Sequence, residues 1–235
     1  MTSIRTVAET GSTNADMAAL ARTGLAEGVW LRAERQTGGR GRQGRAWASP
    51  PGNLHASTLV RLRAVDPPPA SLGFVAAVAL EEAARVYLPG AGLRLKWPND
   101  LLLDGAKLSG VLLERVDDAV VVGIGVNLAH HPDLPDRPAT SLSARGVDVA
   151  PADFADTLAE AFARWIQTWR GRGPAPVRAR WLERAHPAGT ALSVRLPDGG
   201  REQGLFAGLD ADGALLLRLA DGRVRAIHAA DVFLG

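Results

Sequence analysis

Residues 93–112 read LKWPNDLLLDGAKLSGVLLE, and the fold turns on this stretch. Its apolar runs have buried-strand character, yet Lys96, Trp97, Asn99, Asp100 and Lys107 interrupt them. The chain has 27 basic residues, and only Lys96 and Lys107 are lysines. An ordinary solvated charge is met elsewhere by arginine. A compact ammonium on a flexible stem does what a planar, forked guanidinium does not, so the two exceptions mark a site. The plainer reading is two surface lysines that happen to be neighbours.

Working outward, residues 93–96 leading into 101–103, then 107–114 and 119–126, read as strands. Asp104-Gly105 and Asp117-Asp118 form hairpin-like connections between them. Upstream, 4–8, 29–34 and 53–62 alternate as strands. STNADMAALARTG reads as a helix capped by Ser12 or Thr13, and SLGFVAAVALEEAARVYLPG as an amphipathic helix closed by Pro89 and Gly90. Downstream of a proline-rich loop at 130–140, Phe154, Leu158, Phe162, Trp165, Ile166 and Trp169 recur at helical spacing across 153–170. A second helix covers 176–185. After Pro187 the pattern changes to short strands punctuated by Asp-Gly turns, which describes a small antiparallel barrel. The order of elements lacks regular βαβ units. The fold class is therefore α+β: a mixed sheet with helices on one face over 1–186, and a small β-barrel over 187–235.

Composition narrows the function. A hydrophobic content of 46% is that of a globular chain, and a net charge of +2 is too small for a strong nucleic-acid field. With no cysteine, disulfides and thiolate chemistry are excluded, and a reducing compartment fits. The N-terminus has no apolar signal core and no stretch is long enough to span a bilayer, so a cytoplasmic protein without membrane contact is expected.

Four asparagines occur, Asn14, Asn53, Asn99 and Asn127, each beside a turn or strand end, in GSTN, PGN, WPND and GIGVN. An amide offers donor and acceptor together, which suits a purine or amide edge, although Asn53 after Gly52 reads as a turn former. GGRGRQGR at 38–45 combines backbone freedom with the cationic forks of Arg40, Arg42 and Arg45. It lacks the GK[ST] ending of a phosphate-binding P-loop. It reads as a mobile lid over an anionic ligand, with an RNA-binding Gly/Arg patch as the competing reading. The five histidines, His55, His130, His131, His186 and His228, show no metal-ligand spacing.

Together these motifs resemble the biotin–protein ligases. Ser12-Thr13-Asn14, Gln36 with GRGRQGR (39–45) and Trp47, KWPND (96–100), KLSG (107–110) and GIGVN (123–127) stand in that family's order and spacing. The resemblance covers nearly the whole chain and implies a class II synthetase-like catalytic domain followed by an SH3-like C-terminal domain. Only eleven residues precede Ser12, so the resemblance is to the monofunctional type, with no DNA partner.

The resemblance implies that biotin and ATP give biotinyl-5′-AMP and pyrophosphate, and that biotin then passes to a lysine of a biotin carboxyl carrier protein. This is a C–N-forming ligase reaction of the biotin–[acetyl-CoA-carboxylase] ligase kind. By that resemblance Lys107, Arg40, Arg42 and Arg45 are catalytic. Ser12, Thr13, Asn14, Gln36, Gly39, Arg40, His55, Lys107, Gly110, Gly123 and Gly125 bind biotin, with His55 standing where many members have Tyr. Arg42, Arg45, Trp47, Lys96, Asn99 and Asn127 bind the nucleotide, with Trp47 near the adenine, and Asp100 helps place Mg²⁺. The acceptor lysine comes in trans, docking near the lid and the terminal barrel, and a homodimer through exposed sheet edges is expected. Two rivals remain: a lipoate or octanoate ligase of similar fold, and a nucleic-acid-binding module.

Overall fold

The structure, a computed structural model, describes residues 3–134 and 137–234; Pro135 and Asp136 of the proline-rich loop lie outside it. Seven strands form the first sheet: β1 (Ser3–Thr10), β2 (Val29–Gln36), β3 (Leu54–Arg61), β4 (Leu93–Lys96), β5 (Asp100–Leu103), β6 (Ala106–Val116) and β7 (Ala119–Val126). Their order is β1-β2-β3-β7-β6-β5-β4; β1 and β2 are parallel and every other pair is antiparallel, so the sheet is mixed as expected.

Alternation along β7 sorts the helices. Val120, Val122, Ile124 and Val126 face the main core, built with α2 (Leu72–Tyr87), α3 (Pro151–Arg172) and α4 (Pro174–Arg184). Ala119 and Val121 face the other way, onto Met17 and Ala21 of α1 (Thr13–Arg22). The expectation of helices on one face is thus corrected in one respect. Three helices share a face, and α1 covers part of the opposite one because its Met17 stripe needs the small apolar patch there. Beyond α1 the same β7 face continues as Gly123 and Gly125, which leaves a shelf without side chains of its own.

The second correction concerns the opening stretch. Residues 93–103 form two strands and a hairpin, with Lys96 opposite Asp100. Pro98 lacks the N–H that an uninterrupted ladder needs, so the chain turns at 97–99. The second sheet contains β8 (Ala191–Arg195), β9 (Arg201–Leu209), β10 (Leu215–Arg218), β11 (Val224–Ile227) and β12 (Asp231–Leu234), all antiparallel, consistent with an SH3-like domain. Trp97 ties the two sheets by donating its indole N–H to Gly213 O at 3.1 Å. Among the described residues no helix is long and apolar enough to cross a membrane.

At the far end of the main sheet, Arg170 of α3 donates to both oxygens of Glu27 (2.7 and 2.8 Å), to Asp66 (3.1 Å) and to Arg61 O (2.8 Å). Hydrogen bonds donated to Glu27 raise the guanidinium's pKa above its usual value, and burial opposes them without winning. Removing one partner of such a group strands buried carboxylates, so Arg170→Ala is expected to cost about 2–3 kcal/mol in urea unfolding. A loss below about 0.5 kcal/mol would show that the network does not hold α3 to the sheet.

Candidate active site

All the residues singled out as site candidates border one cavity of about 510 Å³ on the α1 face of the main sheet. The sheet register explains the convergence. Lys96 pairs with Asp100, Asp100 with Gly110, Gly110 with Gly125, and Gly125 with His55, so one row crosses β4, β5, β6, β7 and β3. Directly opposed residues project from the same face. The row therefore has cations and a carboxylate at one end, two glycines in the middle and a histidine at the other.

Lys107 reaches this face through an irregularity. Strict alternation back from Gly110 would put Leu108 in the cavity and Lys107 in the core. The register shifts between Leu101 and Leu102, so that Leu102 pairs with Lys107, and this bulge sends Leu108 into the core and Lys107 to the site. Asp100, 5% exposed, holds both lysines: Lys107 Nζ lies 2.5 Å from Oδ1 and Lys96 Nζ 3.2 Å from Oδ2, with Arg137 at 4.0 Å. Burial alone would raise the Asp100 carboxyl; Lys107 and then Lys96 outweigh it and hold it below its usual range. Burial likewise pushes the Lys107 ammonium down, with Asp100 holding it up against that effect.

Asp100 was expected to help place Mg²⁺; its two oxygens face Lys107 and Lys96. Among the described residues no group of three histidine or carboxylate side chains could hold a metal ion.

The arginine loop folds against the terminal sheet. Arg45 Nη2 meets Asp231 Oδ1 at 2.6 Å, Arg42 donates to Ala230 O at 3.4 Å, and Lys96 Nζ donates to Val232 O at 3.0 Å. Burial lowers the Arg42 pKa. Arg40 stays exposed at the cavity wall. Gly39 is required here, because a Cβ would lie 2.6 Å from both Trp47 O and Ser49 Oγ.

Trp47, expected near the adenine, lines the cavity. Its indole lies on the glycine shelf: a Cβ on Gly125 would be 2.5 Å from Trp47 Nε1 and Cε2, and Lys107 Nζ is 5.4 Å from the ring centroid. Flat glycine backbone admits the ring, and the ammonium beside its face adds cation–π attraction. The Trp47 indole N–H is buried with no partner among the described residues, as is Nδ1 of His55. His55 Nε2 faces Pro50 O at 3.1 Å, and burial lowers the ring's pKa, so Nδ1 is an acceptor. One orphaned donor and one orphaned acceptor thus stand near Gly125.

At the head of the cavity Ser12 caps α1, and the Thr13 N–H donates to Gln36 Oε1 at 2.8 Å. Several expected ligand contacts also have partners within the protein. Asn14 uses both amide ends inside the protein, donating to Glu114 at 2.7 Å and accepting from Ser57 at 2.6 Å. Gly123 makes room for that amide, since a Cβ would fall 2.1 Å from Asn14 Oδ1. Asn99 donates from its amide nitrogen to Val111 O (2.7 Å) and Asn127 to Thr140 O (3.0 Å), which fixes both amides in place. Asn53 is the turn former expected of it, accepting from the N–H groups of Leu128, Ala129 and His130.

Sequence reasoning missed Ser57, Glu114, Arg137 and Asp231. Ser57 shares parity with His55 in HASTLV, which is a usable signal; Asp231 lies in another sheet and has none.

Comparisons with known proteins agree with this geometry. Residues 16–128 match the model of the Biotin/lipoate A/B protein ligase family, and residues 193–235 the Biotin protein ligase C terminal domain. The chain is 42% identical to a biotin–[acetyl-CoA-carboxylase] ligase of Paracoccus denitrificans, over 97% of this chain and 99% of that one. It is 38% identical to the same-named protein of Mycobacterium tuberculosis, over 96% and 86%. The biotin protein ligase of Aquifex aeolicus, solved in complex with biotin and ATP, superposes with a TM-score of 0.86 at 24% identity, covering 100% of both chains.

If Gly125 exists to admit the Trp47 ring, Gly125→Ala should cost roughly 1–3 kcal/mol of stability by overpacking. On a Trp47→Ala background the same change should cost less than about 0.5 kcal/mol, and an equal cost in both would show that Gly125 serves something else.

Proposed function

The chain belongs to the biotin–protein ligase family, and from that premise we propose how its residues join biotin to a protein lysine. In the first step a biotin carboxylate oxygen bonds to the α-phosphorus of ATP, the bond to the β,γ-phosphates breaks, and pyrophosphate leaves. Two anions must meet, which costs Coulomb energy unless fixed cations stand at the point of contact. Lys107 is that cation, shared between the carboxylate and the α-phosphate, and Lys96 supports the same anion-binding end. Arg40, Arg42 and Arg45 cover the phosphates and keep water from the mixed anhydride. Ser12, Thr13 and Gln36 receive the ureido head, and His55 Nδ1 and the Trp47 N–H offer it an acceptor and a donor. Mg²⁺ would enter with the nucleotide's phosphates.

In the second step the neutral amine of a lysine on a biotin carboxyl carrier protein attacks the acyl carbon. AMP leaves with the electron pair of the C–O bond, and the amine gives up its proton. The chain's own lysines are both buried in the Asp100 cluster, so the acceptor comes in trans, docking near the arginine loop and the terminal sheet. A cytoplasmic location and a homodimer through the exposed sheet edge at β1 belong to the same proposal. The first is supported by the absence of cysteine, the second by the outer edge of β1, which no further strand pairs among the described residues.

One observation carries the assignment: the buried Asp100 carboxylate aims both lysines of the chain at the end of a glycine-floored slot. Pyrophosphate exchange into ATP, with biotin, lipoate or octanoate supplied in turn, tests it. Exchange should require biotin and fall at least about a hundredfold in Lys107→Ala, the size seen when one transition-state donor is removed. Exchange driven by lipoate or octanoate instead would reject the substrate, and full exchange in the variant would reject Lys107.

A further inference from the structure

A run of polar side chains passes beneath the head of the cavity and ends on a carboxylate with no part in the reaction above. Glu114 accepts from Asn14 Nδ2 at 2.7 Å; Asn14 Oδ1 accepts from Ser57 Oγ at 2.6 Å; and Ser57 Oγ lies 2.7 Å from Thr13 Oγ1. The links come from β6, α1 and β3, so the run crosses the sheet under the slot. Asn14, Ser57 and Thr13 are 6%, 0% and 4% exposed, which keeps water from scrambling the pattern.

We propose that Glu114 is a positioning residue that fixes the hydrogen-bond polarity offered to the ligand's head group, acting through Asn14 and Ser57 on Thr13. An ionised carboxylate only accepts, so Asn14 must turn its NH₂ toward Glu114 and its oxygen toward Ser57. Ser57 then spends its single proton on Asn14 and can only accept from Thr13. The Thr13 hydroxyl can donate to Gln36 Oε1 at 3.0 Å, which already receives the Thr13 backbone N–H, or to Ser57 Oγ at 2.7 Å; with the Ser57 proton spent on Asn14, only the Thr13 proton can bridge the two hydroxyl oxygens, so it points inward. The Thr13 oxygen is left with lone pairs for the slot. That arrangement selects a ring N–H on the ligand, as in a cyclic urea, and disfavours a ring oxygen in the same place. A glutamine at 114 can donate as well as accept, which lets the Asn14 amide turn over and reverses the whole run, making Thr13 a donor.

The inference rests on the reading of this end as the ureido site. Its test is biotin-dependent pyrophosphate exchange with biotin and with the two carbamate analogues in which either ureido N–H is replaced by oxygen. The intact enzyme should prefer biotin over one of the analogues by more than about a hundredfold in kcat/KM. In Glu114→Gln, a near-isosteric change that preserves packing, that preference should drop at least about tenfold, as it should in Ser57→Ala. The KM for biotin should rise while the KM for ATP holds. Thr13→Val supplies the control for the site itself. If Thr13→Val weakens biotin binding while Glu114→Gln and Ser57→Ala keep the full preference, the polarity relay is wrong and the ureido site stands. If Thr13→Val leaves biotin binding unchanged, the ureido site is wrong and the relay falls with it.

Discussion

The Asp100 carboxylate, buried between Lys107 and Lys96, is the interaction on which the rest of the site depends. A lone carboxylate at that depth would be driven neutral, and two lysines side by side would repel and lose their protons. Together they sustain one another. Asp100 stays below its usual carboxylate range despite burial, and its charge opposes the loss of the Lys107 proton that burial promotes. The cluster carries a net positive charge into a cavity whose task is to bring two anions together. The surrounding geometry follows from it: the hairpin sets Asp100 opposite Lys96, and the bulge in β6 delivers Lys107 to the same face.

From this cluster the site extends in two directions. Along the row it runs over Gly110 and Gly125, a shelf flat enough for the Trp47 indole, to His55 and the capped end of α1. Across the row it reaches the terminal sheet, where the carbonyls of Ala230 and Val232 and the Asp231 carboxylate receive Arg42, Lys96 and Arg45. The small second sheet is thus a wall of the cavity. Its last strand holds the arginine loop in place, which links the domain junction to the closing of the active site.

Much of this was legible before any coordinates. Apolar periodicity marked the strands and helices within a few residues, and the lysine pair drew attention to its stretch because the chain otherwise uses arginine. The motifs carried by resemblance all reached one cavity. What sequence did not reveal has physical causes. The hairpin at 97–99 was hidden because both its arms are apolar, so one strand and two read alike. The face of Lys107 depended on a bulge, which period-two reasoning cannot anticipate. Asn14, Gly123 and Asp100, expected as ligand contacts, also bond or pack against the protein itself. A motif residue can be required for holding another side chain as firmly as for touching a substrate. Asp231 could not have been found, because it stands in the second sheet and its partner Arg45 in a loop of the first domain, 186 residues away in the chain.

Because Lys96 and Lys107 are the chain's only lysines, a protein labelled at its lysine side chains gives two resonances, and their titration by NMR tests the central cluster directly. The Lys107 signal should titrate below the ordinary 10.5 and move lower still in Asp100→Asn, where burial is no longer opposed by the carboxylate. A Lys107 signal that titrates at or above 10.5 in the intact protein, or that stays put when Asp100 loses its charge, would contradict the account.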